Sequence, residues 1–342
     1  MESQHGLEIV SGDRRVADRA DFAAVVEPHR KELQLHCYRM LGSVVDAEDL
    51  VQETLLRAWR SWDSYRGDAS MRTWLYRIAT NACLDQLRRS TTRSLPQAIG
   101  APADPDLPLT PPSADARWLE PYPDELLSDQ SGDPEAKYTI RESVSLAFQA
   151  MLQELPPRQR AALILCDVLD WTGQEVADLL DTTVSAVNSA LYRARRALPA
   201  NLTPEPGLAP PLDLDSQLLL DRYVEAWHRA DVDGLVDLLT RDARLAMPPT
   251  PSWFVGPDSI AKVLTNVAFA SGNKWRLVPT GSNLHPAFVF YRFDPDVRSY
   301  RAAGVQVVTL QQFELGPRVS EITAFMQPEL SESFAHPPTL PE

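Results

Sequence analysis

The sequence predicts a multidomain protein in which two all-α segments precede a C-terminal α+β unit. Apolar residues recur at helical spacing in 21–93 and again in 139–200. Between these segments, 94–138 contains nine of the 29 prolines and has no helical period, which indicates a linker. Beyond residue 213, helical stretches give way to strand-like runs, an order typical of a compact α+β fold.

The length of 342 residues also favours several domains over one. No run of 18 apolar residues and no signal-peptide pattern occurs, so we expect a cytoplasmic protein. The predicted segments are a disordered N-terminus (1–20), a first helical domain (21–93), an acidic proline-rich linker (94–138), a second helical domain (139–200), a short linker (201–212), the α+β domain (213–330) and a C-terminal tail (331–342).

The three cysteines, Cys37, Cys83 and Cys166, lie far apart in the sequence and form no CxxC pair. This spacing predicts small buried apolar residues rather than a disulfide or zinc framework. We therefore expect no metal and no cofactor.

The net charge of −14 is unusual for a DNA-binding protein, but its distribution is uneven. Residues 66–93 contain six Arg against two Asp, and 184–200 contain three Arg and no acid. Basic faces on an acidic body bind phosphates weakly on their own, because such binding depends on accumulated positive charge. The pattern suits a protein that holds DNA with help from a larger assembly.

The segment 46–62 is an acidic amphipathic helix. Asp46 is the predicted N-cap, and Glu48 and Asp49 favour the positive end of the helix dipole. Four apolar side chains recur at helical spacing and should face a core: Val51, Leu55, Trp59 and Trp62. The polar side chains form either a solvated face or a docking surface.

The segment 70–89 is a second helix, with Ser70 as its predicted cap. Asn81, Asp85, Arg88 and Arg89 are spaced to share one exposed face. Arg binds phosphates and bases, and Asn can recognise a base edge. Trp74 either anchors the core or provides a platform on which an unstacked base can stack.

The segment 171–198 has the pattern of a helix-turn-helix. Apolar residues pack the two helices across a tight turn: Val176, Ala177, Leu180, Val187 and Leu191. Asp181 occupies a turn position where glycine is common, and Asp tolerates the left-handed conformation better than most residues. Thr182 or Thr183 caps the second helix. In this motif the N-terminal part of the second helix contacts the major groove.

Three strings, DAEDLVQETLLRAW (46–59), SMRTWLYRIATNACLDQLRR (70–89) and WTGQEVADLLDTTVSAVNSALYRARRAL (171–198), resemble an extracytoplasmic-function (ECF) sigma factor of RNA polymerase. The resemblance implies two all-α sigma domains, a region 2 helical bundle and a region 4 helix-turn-helix. It also implies that core RNA polymerase, through its clamp helices and flap, and promoter DNA are partners. The acidic linker would then thread through polymerase.

The resemblance assigns residues to each contact. The implied polymerase-binding residues are Asp46, Glu48, Asp49, Gln52 and Glu53. The implied −10 contacts are Arg72, Trp74, Arg77, Asn81, Asp85, Arg88 and Arg89. The implied −35 contacts are Ser185, Asn188, Ser189, Tyr192, Arg193, Arg195 and Arg196.

The C-terminal unit 213–330 resembles a SnoaL-like domain, above all in MPPTPSWFVGPDSI (247–260). That resemblance implies a cone-shaped α+β barrel with an apolar pocket that could accept a small molecule. Candidate pocket residues are Tyr223, Trp227, Trp253, Phe254, His285 and Tyr291, although for each aromatic the residue type favours a plain core over a pocket. His285 precedes Pro286 and is better interpreted as a turn residue than as a general base. No titratable pair has a spacing that demands catalysis, so we expect a regulatory domain and not an enzyme.

Two rival functions remain at this point. An ordinary helix-turn-helix regulator would bind duplex DNA alone, but it leaves 46–59 unexplained. A ketosteroid-isomerase-like enzyme with a DNA-binding front end would turn over a small ring compound in 213–342. The sequence does not indicate whether an anti-sigma factor exists.

Overall fold

The computed structural model describes residues 22–65, 67, 69–90, 92–112, 116–127, 144–198 and 213–342. The chain forms two compact units. The helical unit takes its described residues from Met1–Leu41, Val45–Ser90 and Pro157–Arg195. The sheet unit takes them from Gly42–Val44, Thr91–Pro156 and Arg196–Glu342. The predicted N-terminus at 1–20 and the predicted linker at 201–212 lie outside the described residues.

The elements follow the predicted order of helices first and sheet second. The main helices are α1 (Arg30–Leu41), α2 (Val44–Arg60), α3 (Met71–Leu87), α4 (Pro96–Ile99), α5 (Leu146–Glu154), α6 (Pro157–Leu163), α7 (Gly173–Leu179), α8 (Val184–Ala197), α9 (Leu214–Arg229), α10 (Val232–Val236), α11 (Pro257–Val263) and α12 (Leu330–Ser333). The strands are β1 (Arg93–Ser94), β2 (Arg117–Trp118), β3 (Leu239–Ala246), β4 (Trp253–Val255), β5 (Trp275–Ser282), β6 (His285–Asp294), β7 (Ser299–Phe313), β8 (Gly316–Phe325) and β9 (Thr339–Pro341).

In the helical unit, α1 packs on α3, and α6 packs on both of them. The packing buries Cys37 and Cys83 completely, as the sequence predicts for small apolar residues, whereas Cys166 is only half-buried. Two polar side chains inside are hydrogen-bonded: His36 Nε2 lies 2.9 Å from Thr80 Oγ1, and Arg160 donates to the carbonyl of Met40. The first predicted helical segment up to Ser90 and the second from Pro157 to Arg195 therefore share one compact unit, whereas the described residues 144–156 belong to the sheet unit.

An aromatic cluster closes the end of α2 and the start of α3. The ring of Trp62 lies 5.1 Å from that of Phe22, and the ring of Trp74 lies 4.9 Å from that of Tyr65. Trp74 is half-buried in this cluster, so it packs as the core interpretation predicts while keeping part of its surface open.

The helix caps confirm most of the predicted local chemistry. Ser70 accepts a hydrogen bond from Thr73 N at 3.1 Å and caps α3. Thr183, rather than Thr182, caps α8 by accepting from Ala186 N at 3.2 Å. Asp181 adopts a φ of 50°, the left-handed conformation expected for that turn. The prediction for Asp46 is wrong, because α2 begins at Val44 and places Asp46 inside the first turn.

The sheet unit has the predicted α+β architecture. Its strands are ordered β4-β3-β8-β7-β6-β5, with β3 and β8 parallel and the other neighbours antiparallel. Helix α9 packs on β5 and β8, and α11 packs on β3, so one face of the sheet encloses an apolar core. The chain beyond 330 is part of this fold, since α12 precedes β9 and β9 pairs with β7.

The described part of the predicted linker packs within the sheet unit. Strands β1 and β2 pair in parallel, and Trp118, Leu119 and Tyr122 are buried. The sequence leaves two alternatives for these three residues, a short anchor on a partner protein or packing on a neighbouring domain. The structure contains the second. Residues 113–115 and 128–138 of the linker lie outside the described residues.

Candidate polymerase and promoter interface

The polar face of α2 is an acidic surface. Glu48, Asp49 and Gln52 are exposed, and Asp46 and Glu53 are partly so. Glu53 accepts a hydrogen bond from Arg57 Nε at 2.8 Å, and this bond lowers the pKa of the Glu53 carboxyl below its usual range. The helix thus presents fixed negative charge, which favours a basic partner surface.

The exposed face of α3 carries the predicted basic and amide side chains. Arg77, Asn81, Arg88 and Arg89 are exposed, as the spacing predicts. Asp85 stands among them and accepts a hydrogen bond from Arg88 Nη1 at 2.8 Å. Asp85 therefore holds the Arg88 side chain against the helix surface.

Arg72 lies in the first turn of α3 and is held by partners that the sequence analysis did not identify. Its Nε donates to Glu32 Oε2 at 2.8 Å. Its guanidinium lies 4.9 Å from the ring centre of Tyr76 and 5.7 Å from that of Trp171. Glu32 also contacts His29 Nδ1 at 2.5 Å, so a single buried carboxylate orients several groups.

Arg77 makes the longest-range ion pair of this face. Its Nη2 lies 2.7 Å from Asp181 Oδ1, in the turn of the helix-turn-helix. The two residues are 104 positions apart in the chain, which no local sequence pattern signals.

The residues of α8 that are predicted to contact the −35 element lie on one face of the helix. Val187 and Ala194 are buried on the opposite side. Arg195 is fixed by two hydrogen bonds to Asp167, at 2.9 and 2.7 Å. The predicted −35 residues are all exposed: Ser185, Asn188, Ser189, Tyr192, Arg193, Arg195 and Arg196.

The first helix of the helix-turn-helix, α7, begins with a capping box that the sequence pattern indicates but that was not predicted. Thr172 and Glu175 form a capping box, with Thr172 N donating to Glu175 Oε2 at 2.8 Å. The string TGQE has the spacing of this motif. It fixes the start of α7 directly after Trp171.

The candidate pocket residues of the sheet unit do not converge on one site. Tyr223, Trp227 and Phe254 belong to the apolar core, where Tyr223 donates to Gln306 Oε1 at 3.0 Å. Trp253 instead donates to the carbonyl of Gly100, at 2.9 Å.

The other two candidates lie elsewhere on β6. Tyr291 follows the core residue Phe290, so alternation turns it to the opposite face of the sheet, where it donates to the carbonyl of Pro337. His285 begins β6 beside the turn, as predicted, and burial lowers its pKa. The expected shared pocket is therefore wrong for Trp253, His285 and Tyr291, because strand alternation and hydrogen bonds direct them away from the core.

The described residues contain neither a candidate metal centre nor a helix suited to a membrane. No group of three or more His, Cys, Asp or Glu side chains within them is arranged to hold a metal ion. Among the helices of the described chain, none is long and apolar enough to cross a membrane.

Comparison with known families matches three parts of the chain. Residues 25–93 match Sigma-70 region 2, residues 145–198 match Sigma-70 region 4, and residues 220–314 match the SnoaL-like domain. These ranges fall inside the predicted domains at 21–93, 139–200 and 213–330.

Curated relatives and a solved structure agree with the family matches. The ECF RNA polymerase sigma factor SigG of Mycobacterium tuberculosis is 43% identical over 94% of this chain and 85% of its own length. SigW of Bacillus subtilis is 29% identical over 53% of this chain and 88% of its own. The crystal structure of M. tuberculosis SigJ shares the fold, with a TM-score of 0.56 at 23% identity, over 93% of this chain and 99% of that one. The chain belongs to the ECF RNA polymerase sigma factors, carrying a C-terminal SnoaL-like domain.

Proposed function

We propose that three helices divide the work of this sigma factor in transcription initiation. The polar face of α2 docks on core polymerase, the exposed face of α3 contacts the −10 element, and α8 contacts the −35 element. The observation that carries the assignment is the separation of charge: an exposed acidic face on α2 and exposed basic side chains on α3 and α8. Acidic groups suit a protein partner, whereas arginine suits phosphates and guanine. The protein acts in the cytoplasm, where polymerase and promoter are found.

A charge reversal tests the polymerase assignment. Asp49→Lys with Glu53→Lys should abolish co-purification with core polymerase and run-off transcription, because both carboxylates lie on the polar face. Asp221→Lys with Glu225→Lys is the matched control on α9, where Glu225 pairs with Arg229 at the same i,i+4 spacing that joins Glu53 to Arg57. Co-purification of the α2 variant at the wild-type level would contradict the assignment.

We further propose that the SnoaL-like domain regulates initiation by holding the linker between the two sigma segments. The turn between β5 and β6 is bonded to it at several points. Asn283 accepts from Tyr122 N at 2.8 Å and donates to the carbonyl of Val144 at 2.6 Å. Leu284 N donates to Asp124 Oδ1 at 2.9 Å.

A second attachment lies near β4 and α11. There Lys262 Nζ is 2.7 Å from Asp106, close to the hydrogen bond from Trp253 to Gly100. A linker that threads through polymerase has to leave these contacts first. The domain therefore opposes assembly in proportion to how tightly it holds the linker.

A turn variant tests this regulatory role. Asn283 has a φ of 53°, which glycine adopts readily, so Asn283→Gly removes the amide without straining the turn. Run-off transcription at limiting protein should rise while the selected promoter stays the same. Ser271→Gly is the control, at an exposed residue with a φ of 55°. Equal transcription by both variants and the wild type would contradict regulation through the linker.

We also infer that the SnoaL-like domain is not an enzyme. The support is that its candidate residues are dispersed, and that the hydroxyl of Tyr223 is already hydrogen-bonded to Gln306 inside the core. A fold shared with enzymes does not by itself supply a reactive site.

A further inference from the structure

A cavity of about 480 Å³ lies on the sheet unit beside the turn between β7 and β8. It is lined by α9, by the chain that follows α10, by the start of α11 and by the turn itself. Its volume falls in the range of about 300–1,000 Å³ that is usual for small-molecule sites. The cavity is a different place from the pocket that the sequence predicted, because none of the six predicted pocket residues lines it.

The floor and one edge of this cavity are apolar. Leu219 of α9 and Leu238 after α10 belong to the apolar core and are almost completely buried, so they form the floor. Leu315, in the turn between β7 and β8, forms the edge. It is 99% exposed, which makes it the most exposed large apolar side chain in the described part of the chain. A ligand with an apolar body would remove this leucine from water, which is favourable.

Two arginines line the same cavity, and their charges are not neutralised by acids. Arg318 Nη1 donates to the backbone carbonyl of Asp237 at 2.7 Å, which fixes the guanidinium through a neutral partner. In the part of the chain that the structure describes, Arg318 Nε and Nη2 make no hydrogen bond, and Arg222 makes no ion pair. An arginine with this edge open can bind a carboxylate through two parallel hydrogen bonds.

One acidic side chain opposes the two arginines. Asp237 is exposed and also lines the cavity. The lining therefore carries one positive charge in excess, although the protein as a whole has a net charge of −14. A local positive potential attracts anions. An excess of one charge suits a monoanion such as a carboxylate better than a doubly charged phosphate.

We propose that this cavity binds a small amphipathic carboxylate. The apolar body of the ligand packs on Leu219, Leu238 and Leu315. Its carboxylate accepts hydrogen bonds from Arg222 and Arg318. Binding at this site requires neither polymerase nor promoter, so the proposal goes beyond the proposed function, and a binding measurement tests it separately.

Calorimetric titration of the full-length protein with decanoate tests the site. Arg222→Gln should weaken binding by up to about fivefold, because a pair between exposed charges contributes no more than that. Asp237→Asn should tighten binding by up to about the same factor, since it removes the opposing charge. Arg241→Gln is the matched control, because Arg241 is an exposed arginine of the sheet unit that does not line the cavity.

Two further ligands test the head and the body of the proposed carboxylate. Octanoate should bind roughly 15-fold more weakly than decanoate, because each buried methylene group contributes about fourfold in affinity. Decyltrimethylammonium has a ten-carbon chain and a positive head, and it should not bind. Equal affinity for octanoate and decanoate would contradict burial of the chain, and binding of the cation would contradict the role of the arginines.

The variants also decide where decanoate binds. Absence of decanoate binding to the wild-type protein would overturn the proposal. Equal affinity of Arg222→Gln and Arg241→Gln would overturn it too, because the ligand would then be held elsewhere. Sedimentation with phosphatidylglycerol vesicles is the last measurement, since a lipid head group offers a similar anion. Vesicle binding that Arg222→Gln abolishes, without binding of free decanoate, would assign the surface to a membrane and refute a small-molecule site.

Discussion

Helices α3 and α8 both carry predicted promoter contacts, yet they are built into the molecule in opposite ways. Helix α3 has seven buried residues and α8 has two. Three arginines of α3 are already engaged by acids: Arg72 by Glu32, Arg77 by Asp181 and Arg88 by Asp85. On α8, exposed side chains with Asn188 and Arg193 among them cover the recognition face. On the proposed assignment, the difference teaches that α3 exchanges protein partners for DNA, whereas α8 already presents its assigned side chains at an exposed surface.

Acidification should weaken the packing around α3 and produce the largest loss in the free energy of unfolding. His36 is fully buried against Thr80 of α3, and burial lowers its pKa from 6.5 to about 3. The unfolded chain therefore takes up the proton first, so the stability is complete above pH 6.5 and is lost as pH falls from 6.5 towards 3. The loss should approach about 1.4 kcal/mol per pH unit in the free energy of unfolding.

Urea unfolding at pH 7, 6 and 5 measures this slope. His36→Gln removes one titrating group and should make the slope shallower, even if the variant is less stable at pH 7. Ala186→Ser, at an exposed position of the helical unit, changes no titrating group and should keep the wild-type slope. Identical slopes for all three proteins would exclude His36 as the cause.

Alanine at the exposed face of α8 should cost promoter affinity directly. One bidentate base contact contributes about 1–3 kcal/mol, or roughly 5- to 150-fold in binding. Asn188→Ala or Arg193→Ala should therefore weaken binding of the holoenzyme to a −35 duplex by a factor in that range. Ala186→Ser, at an exposed neighbour outside the assigned set, is the control. Wild-type affinity for both variants would remove α8 from the −35 contact.

Features that depend on residues close together in the sequence could be predicted, whereas contacts between residues far apart in the sequence could not. Local patterns located α2, α3 and the helix-turn-helix, together with Ser70 as a cap and Asp181 as a left-handed turn residue. Glu32 and Trp171 were missed because the α3 side chains that they contact lie at least 40 and 95 positions away in the chain, where periodicity carries no information.

The linker illustrates the same limit in the sheet unit. Its prolines and acids predicted an open segment, yet Tyr122 is buried and bonded to Asn283, 161 residues away. The pocket prediction failed at Tyr291 for a related reason, since only the register of β6 decides which face a residue occupies.

Removal of the Glu32 carboxylate, which pairs with Arg72 of α3, should lower stability by a smaller amount. Glu32→Gln keeps the shape but loses the charge that pairs with Arg72. Hydrogen bonds to charged groups contribute about 1.5–3 kcal/mol, so the free energy of unfolding should fall by up to that amount. Glu27→Gln, whose carboxylate pairs with Arg30 at an exposed position, should change it by less than about 1 kcal/mol. Equal stability of the two variants would mean that Glu32 does not anchor Arg72.

The smallest effect is expected at Arg195 of the α8 surface, which Asp167 holds in place. Asp167→Asn weakens the pair that holds Arg195, in which the arginine side chain is 60% exposed. An exposed pair contributes about 0–1 kcal/mol, so thermal stability should barely change. The −35 affinity should stay within about fivefold of wild type. A larger loss would show that Asp167 positions Arg195 for DNA.

Permanganate footprinting of promoter complexes tests the division between α3 and α8 most directly. Holoenzymes carrying Asn81→Ala or Arg88→Ala on α3 are compared with those carrying Asn188→Ala or Arg193→Ala on α8, all at the same limiting protein concentration. The α3 variants should lose reactive thymines of the open −10 region while closed complexes persist. The α8 variants should lose both complexes together, with the open fraction of bound promoter unchanged. Equal loss of open and closed complexes by both pairs would contradict the account.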